Sequence, residues 1–145
     1  MKILARVVAQ YVLEYCKNKG KPISNLELQK MLYFIQIELM RKKGEIILED
    51  FEAWRFGPVI NNVYYDYCVN GPHAITDIMK EEEVLNGEIK ETINKVINAK
   101  TKMSPWDMVK ETHRKGGAWD IVYDNGNGNK KKIPKELIKA KELQV

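Results

Sequence analysis

The chain has 145 residues, of which 44% are hydrophobic and 30% are charged, with two cysteines and a net charge of +4. This length and composition favour one globular domain over residues 1–145 and argue against a two-domain enzyme, a disordered chain or a disulfide-rich protein. The apolar stretches are far shorter than the ~18 residues of a membrane span, and the N-terminus lacks the pattern of a signal peptide. We therefore expect a cytoplasmic protein without a membrane partner.

The charges are distributed unevenly along the chain. Residues 1–45 carry nine basic and four acidic groups, residues 46–100 carry five and ten, and residues 101–145 carry ten and six. An acidic middle between two basic thirds is explained either by simple solvation of the surface or by electrostatic steering toward a charged partner. Cys16 and Cys68 lack the spacing of a metal or redox pair, so we interpret them as buried thiols.

The first two helices are the clearest elements in the pattern. Residues 3–16 place Leu4, Val8, Tyr11 and Tyr15 at helical spacing, which predicts an amphipathic helix that ends before a glycine at position 20. A second helix begins at Ser24, because Glu27 follows three residues later and the two form a capping box. It is predicted to continue to about residue 43.

The second helix has an unusual middle. Residues 31–35 are apolar on every face, which predicts a position at the centre of the fold. Gln36, among these apolar residues, requires a buried hydrogen-bond partner. Gln29 and Lys30 are assigned to the exposed face of the helix. A helix-turn-helix reading of this segment is the DNA-binding alternative, but the apolar centre argues against its lying in a groove of DNA.

The rest of the chain predicts short elements. Residues 46–56 favour a short β-hairpin, and Gly57-Pro58 predicts the start of a helix. Further helices are predicted at 74–80, 89–97, 104–113, 119–123 and 133–143, with a loop at 124–132. The fold class is therefore mainly α, a single compact domain of about six helices with one hairpin.

Catalytic residue types are scarce. His73 and His113 have no zinc-ligand spacing, and no nucleophile motif occurs, so we predict no catalytic residue, no metal, no cofactor and no enzymatic activity. A pocket containing a perturbed His113 would be needed to support an enzyme. Residues 126–132 lack the spacing of a phosphate-binding loop, and three adjacent lysines are a weak nucleic-acid signal.

Two longer segments carry a resemblance to a known family. Residues 23–34, Ile-Ser-Asn-Leu-Glu-Leu-Gln-Lys-Met-Leu-Tyr-Phe, and residues 52–59, Glu-Ala-Trp-Arg-Phe-Gly-Pro-Val, with Val63-Tyr64 shortly after the second segment, resemble the Panacea family, also called SocA-like or GepA-like, of phage-associated proteins. A third element of the family, a Thr-His pair followed by a Trp, is similar to Thr112-His113 and Trp119. The family usually has Pro-Trp where this chain has Ala118-Trp119.

The resemblance implies an antitoxin that binds and neutralises a protein toxin encoded nearby and has no enzymatic activity. One relative acts instead as an adaptor that delivers its toxin to a Clp-type protease, and that alternative stays open, as does a DNA-binding phage or mobile-element regulator. We expect a protein partner, no nucleic-acid partner and an undetermined oligomeric state.

The site residues fall into two groups. Because aromatic and arginine side chains dominate binding hot spots, the predicted partner-binding residues are Trp54, Arg55, Phe56, Tyr64, His113 and Trp119. An alternative is that Trp54 and Phe56 pack into the core beneath a rigid turn. The residues assigned to the family motif and to structural roles are Ser24, Leu28, Gln29, Lys30, Leu32, Tyr33, Gly57 and Pro58.

Overall fold

The structure is a computed structural model that describes residues 2–143. Within these residues the chain forms seven α-helices and five short strands, which confirms the predicted mainly α class. The helices are α1 Ala5–Asn18, α2 Asn25–Lys42, α3 Asn61–Tyr67, α4 Gly87–Lys100, α5 Pro105–Thr112, α6 Ala118–Tyr123 and α7 Lys135–Glu142. The strands are β1 Lys2–Ile3, β2 Ile46–Ile47, β3 Phe51–Trp54, β4 Gly57–Val59 and β5 Lys132–Ile133.

Helix α2 lies at the centre of the fold, as its apolar middle predicts. It packs against α1, α4, α5 and α7, and its buried side chains lie on every face. The predicted capping box begins it: the Ser24 hydroxyl accepts from the Glu27 amide at 3.3 Å, and the Ser24 amide donates to the Glu27 carboxylate at 3.1 Å. A left-handed Lys43, with φ of 58°, ends it.

Gln36 has the buried partner that its position requires. Its side-chain amide donates to the Ile47 carbonyl at 3.1 Å, and its side-chain oxygen accepts from the Ile47 amide at 2.8 Å. Strand β2, which contains Ile47, pairs in parallel with β1. One glutamine therefore joins the central helix to a strand that would otherwise leave two buried backbone groups without partners.

The prediction of a hairpin within residues 46–56 is wrong in its limits. Strand β2 pairs with β1, and the hairpin is formed by β3 and β4, where Trp54 faces Gly57. The prediction that Gly57-Pro58 starts a helix is also wrong. Pro58 lies in β4, an edge strand of the three-stranded sheet β4-β3-β5, where proline is tolerated because no second neighbour needs its N–H. The helix begins only at Asn61.

Four further sequence predictions are wrong. Cys68, interpreted as a buried thiol, is exposed, whereas Cys16 is buried. Leu4 precedes α1 and is 45% exposed, so it is not part of the core face; that face is formed by Ala5, Val7, Val8, Ala9, Val12, Leu13 and Cys16, and the partly buried Tyr11 and Tyr15 pack against the core. Residues 74–80 form no helix; Ile75 is buried there, and its amide donates to the Ile23 carbonyl at 2.8 Å. Gln29 and Lys30 are not on an exposed face, because both side chains are buried.

Helices α4 to α7 lie close to their predicted positions. Asn86 caps α4 and Ser104 caps α5, each accepting from a backbone amide three residues ahead. Within α7, Glu142 is buried, accepts from the Tyr33 hydroxyl at 2.5 Å and pairs with Arg114 at 2.8 Å. None of the helices in residues 2–143 is both long and apolar enough to cross a membrane.

Candidate functional site

The β3–β4 hairpin presents two side chains at its tip. Because Trp54 faces Gly57 in the register, Arg55 and Phe56 form a two-residue connection, and both are exposed. Gly57 follows with φ of 118°, in the left-handed region that favours glycine. A Cβ atom at this position would lie 2.7 Å from Cε of Lys30 and 2.8 Å from Oγ1 of Thr112. With any residue other than glycine at position 57, the hairpin could not approach α2 and α5 this closely.

Five aromatic side chains surround the hairpin, and we call them the aromatic surface: Trp54, Phe56, Tyr64, Tyr65 and Trp106. The centre of the Trp54 ring lies 4.8 Å from the centre of the Tyr64 ring and 6.3 Å from that of Tyr65. The centres of the Phe56 and Trp106 rings lie 5.6 Å apart. Phe56, Tyr65 and Trp106 are 46%, 55% and 57% exposed. The interpretation that Phe56 packs into the core is therefore wrong, because its ring stands at the surface.

Four of these rings border an open groove of about 540 Å³, which we call the aromatic groove. Trp54, Phe56, Tyr64 and Trp106 line it, together with the N-terminal half of α2 and the segment after α3. Among the described residues that line it, two are basic, Lys30 and Arg55, and none is acidic. Its volume falls within the roughly 300–1,000 Å³ of known ligand sites.

A hydrogen-bonded set of side chains from α2 forms the floor of the aromatic groove. Asn25 donates to the Tyr64 carbonyl at 3.0 Å, Gln29 donates to Asn25 at 3.0 Å, and Gln29 accepts from the Ile60 amide at 2.9 Å. Two of these bonds join α2 to the segment that carries Tyr64, and the bond between Gln29 and Asn25 fixes both amide side chains within α2. The aromatic surface therefore rests on a rigid base, which reduces the entropy lost when a partner binds.

Lys30 is the deepest basic group in the groove floor. Its side chain is fully buried, and its Nζ donates to the Pro58 carbonyl at 3.0 Å. Among residues 2–143, no carboxylate lies within 4.0 Å of this amine. Burial without a counter-charge lowers the pKa of Lys30 to about 7.

His113 and Trp119 lie behind the groove, apart from the other predicted partner-binding residues. The His113 ring stacks on Trp119 with 3.6 Å between centroids, and the Trp119 indole donates to the Trp54 carbonyl at 2.7 Å. Trp119 is only 6% exposed. In this structure both residues support the backbone of β3, while Trp54, Arg55, Phe56 and Tyr64 are brought together at the groove.

The His113 imidazole has a perturbed pKa but lines neither of the two described grooves. Burial and the nearby charge of Lys30 lower the pKa of His113, and its Nε2 atom has no hydrogen-bond partner in the described part of the chain. The described residues also contain no group of three or more potential ligands that could hold a metal ion.

Sequence reasoning missed three residues of the site. Tyr65 and Trp106 belong to the aromatic surface, and the Lys130 ammonium lies 4.9 Å from the centre of the Trp54 ring. In the sequence, Trp106 is distinguished only by its position after Pro105 in the first turn of α5. Lys130 precedes β5, which pairs with β3, so no local pattern predicts its position beside Trp54.

A second groove, of about 490 Å³, lies along the C-terminal half of α2. It combines apolar residues of α2 and α4 with both basic and acidic side chains. The Lys100 ammonium lies 4.2 Å from the centre of the Phe34 ring and also pairs with Glu111 at 2.5 Å. Its charges are thus largely paired within the protein, in contrast to those of the aromatic groove.

Comparison with known proteins assigns the chain to a family. The profile described as "Antitoxin SocA-like, Panacea domain" matches residues 28–120, a range that contains the hairpin and the aromatic surface. The chain belongs to the Panacea family. It is 36% identical over 136 residues to "Antitoxin SocA" of Caulobacter vibrioides (strain NA1000 / CB15N), an alignment that covers 86% of this chain and 72% of that relative. No solved structure matches the chain.

This membership confirms the predicted resemblance and supports an antitoxin role for this Panacea chain. The family motif is also explained by the fold. Lys30, Gly57 and Pro58 meet at one point, where the lysine bonds the Pro58 carbonyl and the glycine leaves room for the lysine. Leu28, Leu32 and Tyr33 are buried in the core.

Proposed function

We propose that this chain is an antitoxin that neutralises a protein toxin encoded nearby by binding it directly through the aromatic surface. The observation that carries the proposal is the clustering of exposed rings at one groove: Phe56 and Trp106, each about half exposed, line it, and the exposed Tyr65 contacts the lining residues Trp54 and Tyr64. Tryptophan, tyrosine and arginine are the residue types that most often carry binding energy at protein interfaces. Contiguous exposed apolar side chains on a soluble domain mark interaction sites.

Neutralisation of this kind works by covering the toxin and requires no chemistry. A stable interface of standard size buries about 800 Å² on each partner, so the aromatic surface would form its centre and neighbouring polar residues its rim. The rigid floor under Tyr64 favours binding without large rearrangement. Protection is then stoichiometric, so toxicity returns as soon as toxin exceeds antitoxin.

The first experiment tests neutralisation and its stoichiometry. The protein encoded beside this chain is expressed alone and together with it, and growth is measured at several ratios of the two. We expect toxicity alone, rescue at equimolar or higher levels, and a 1:1 or other fixed-ratio complex by native mass spectrometry. Full protection by a small fraction of an equivalent would indicate turnover and contradict the proposal.

The second experiment places the interface. Phe56→Ser and Trp106→Ser remove exposed rings of the aromatic surface, and Leu48→Ser is a matched control because Leu48 is 45% exposed and does not line the groove. We expect each groove variant to weaken the complex tenfold or more, as hot-spot truncation does, while the control binds normally. Equal binding by all three variants would exclude the aromatic surface.

The toxin's lifetime separates covering from delivery to a protease. If the chain acts as an adaptor for a Clp-type protease, the toxin is degraded faster when the antitoxin is present. We expect the opposite for a covering antitoxin, because a bound and folded toxin is protected from proteolysis. A pulse-chase measurement in cells with and without the antitoxin decides between the two mechanisms.

A further inference from the structure

The aromatic groove has an unbalanced charge. Lys30 and Arg55 line it, Lys130 lies beside it over the Trp54 ring, and no acidic residue is among its described lining. The adjacent carboxylate, Glu52, accepts from the Trp54 indole at 2.8 Å and pairs with none of the three basic side chains. The site therefore offers positive charge next to exposed rings.

Lys30 strengthens this imbalance from below. An ammonium group has three N–H donors, and the only acceptor that the described residues provide to Nζ is the Pro58 carbonyl. Buried charges are normally paired with an opposite charge, yet no carboxylate of residues 2–143 lies within 4.0 Å of Nζ. No described residue supplies a counter-charge, so a carboxylate bound in the groove would favour the protonated form of Lys30 and raise its pKa from about 7.

We propose that the aromatic groove binds a segment of the toxin in which an acidic side chain stands next to a large apolar or aromatic side chain. The carboxylate pairs with Arg55 above Lys30, and the apolar side chain packs against the exposed faces of Phe56 and Trp106. This inference rests on the proposed function, and it adds the chemistry of the partner's segment. The positive charges of Arg55 at the rim and Lys30 at the floor would attract the carboxylate of the segment and so fix the register in which the segment binds.

A nucleic acid is the other anionic partner that stacks on aromatic rings. Proteins that bind single strands follow the backbone with a basic groove that contacts several phosphates in succession. Here the lining contains two basic residues, and one of them, Lys30, is fully buried. A single carboxylate fits this arrangement better than a run of phosphates.

The test uses the full-length protein and a phage-displayed library of random twelve-residue peptides. We expect enriched peptides to carry Asp or Glu within two positions of Trp, Phe, Leu or Met. The most enriched sequence is then synthesised with an amidated C-terminus, and its affinity is measured by fluorescence anisotropy. Replacing its acidic residue by the corresponding amide is expected to weaken binding tenfold or more, the usual size for loss of a charged hydrogen bond.

Variants of the protein provide the reciprocal test. Arg55→Glu alters an exposed hairpin tip and is expected to weaken peptide binding tenfold or more and to shift the enriched peptides toward Lys and Arg. Lys30→Met removes the buried charge at similar volume and should weaken binding of the acidic peptide more than that of its amide version. Lys139→Glu is the matched control, a charge reversal on α7 at a residue that does not line the groove, and should bind as the native chain does.

Several outcomes would overturn the inference. They are enrichment of peptides without acidic residues, no enrichment over a Phe56→Ser, Trp106→Ser double variant, unchanged binding by Arg55→Glu, or binding that depends on a free C-terminal carboxylate. Displacement of the peptide by equimolar single-stranded DNA would favour nucleic acid instead. If Arg55→Glu still neutralises the toxin while Phe56→Ser does not, the inference fails and the proposed function stands. If both variants neutralise normally, the aromatic surface is excluded for the toxin as well.

Discussion

The buried Lys30 makes the stability of the protein depend on pH in a predictable direction. The ordinary pKa of a lysine is 10.5, and burial lowers that of Lys30 to about 7 in the folded protein. Between these two values the unfolded chain holds a proton that the folded chain has released. The free energy of unfolding contributed by this group therefore rises with pH from about 7 to 10.5 and is lost again as pH falls toward 7.

The magnitude follows from the two pKa values. Each pH unit in this window changes the stability by up to about 1.4 kcal/mol, so from pH 7.5 to pH 9.5 Lys30 contributes an increase of about 2.5 kcal/mol. Lys30→Met removes the titrating group while keeping most of its volume. It also leaves the Pro58 carbonyl without its partner, a cost of about 1–3 kcal/mol that does not vary with pH.

The assay is urea unfolding of both proteins at pH 7.5 and pH 9.5. Subtracting the two free energies cancels every other titrating group, so the stability of Lys30→Met relative to the native chain should fall by about 2.5 kcal/mol between the two pH values. Lys102→Met, which removes an exposed lysine from the turn after α4, should show no such change. A pH-independent difference for Lys30→Met would refute the reasoning, because it would mean that Lys30 keeps its proton in the folded state.

Three further predictions concern stability and are measured by the same urea unfolding. Gly57→Ala should lower the free energy of unfolding by about 2 kcal/mol or more, because of the positive φ and the contacts with Lys30 and Thr112. The control Gly44→Ala, whose Cβ meets nothing within 4 Å, should change it by less than about 1 kcal/mol. Equal effects of the two substitutions would contradict the steric argument. Ser24→Ala should cost about 1 kcal/mol and Ser24→Asp less, since aspartate still caps α2; a larger loss for aspartate would exclude capping as the cause. Gln36→Leu should cost about 2 kcal/mol or more, because it leaves both backbone groups of Ile47 unpaired, and a loss below about 0.5 kcal/mol would show that these groups find other partners.

The features that could be predicted from the sequence are those set by local spacing. The capping box at Ser24 and Glu27 depends on residues three apart, and the caps at Asn86 and Ser104 are equally local. The central position of α2 also follows from its own apolar residues. These interactions are contained in one segment, so a pattern in that segment is enough to reveal them.

The features that could not be predicted depend on distant partners. Strand β1 pairs with β2 across more than 40 residues, which takes β2 away from the expected hairpin. The segment at Gly57 has the local pattern of a helix start, but pairing with β3 holds it in a strand. The sequence pattern places Lys30 on an exposed face of the helix. Only the close approach of the hairpin, whose Pro58 carbonyl accepts from Lys30, explains why this amine of the family motif is buried.

The candidate site was predicted in part for the same reason. Trp54, Arg55, Phe56 and Tyr64 come from the motif segments, and the structure brings them to one groove. Tyr65, Trp106 and Lys130 join them through tertiary packing. Trp119, which the motif also suggested, is placed beneath the sheet by its hydrogen bond to the Trp54 carbonyl.

The arrangement of the indole rings gives this protein a built-in optical reporter. The chain has three tryptophans; two of them line the aromatic groove, and the third donates a hydrogen bond to the backbone of one of these. Their ultraviolet emission therefore arises at the groove or just beneath it. Titration with a tryptophan-free partner can be followed without any dye, and replacing Trp106 by Phe assigns the part of the signal that comes from the most exposed ring.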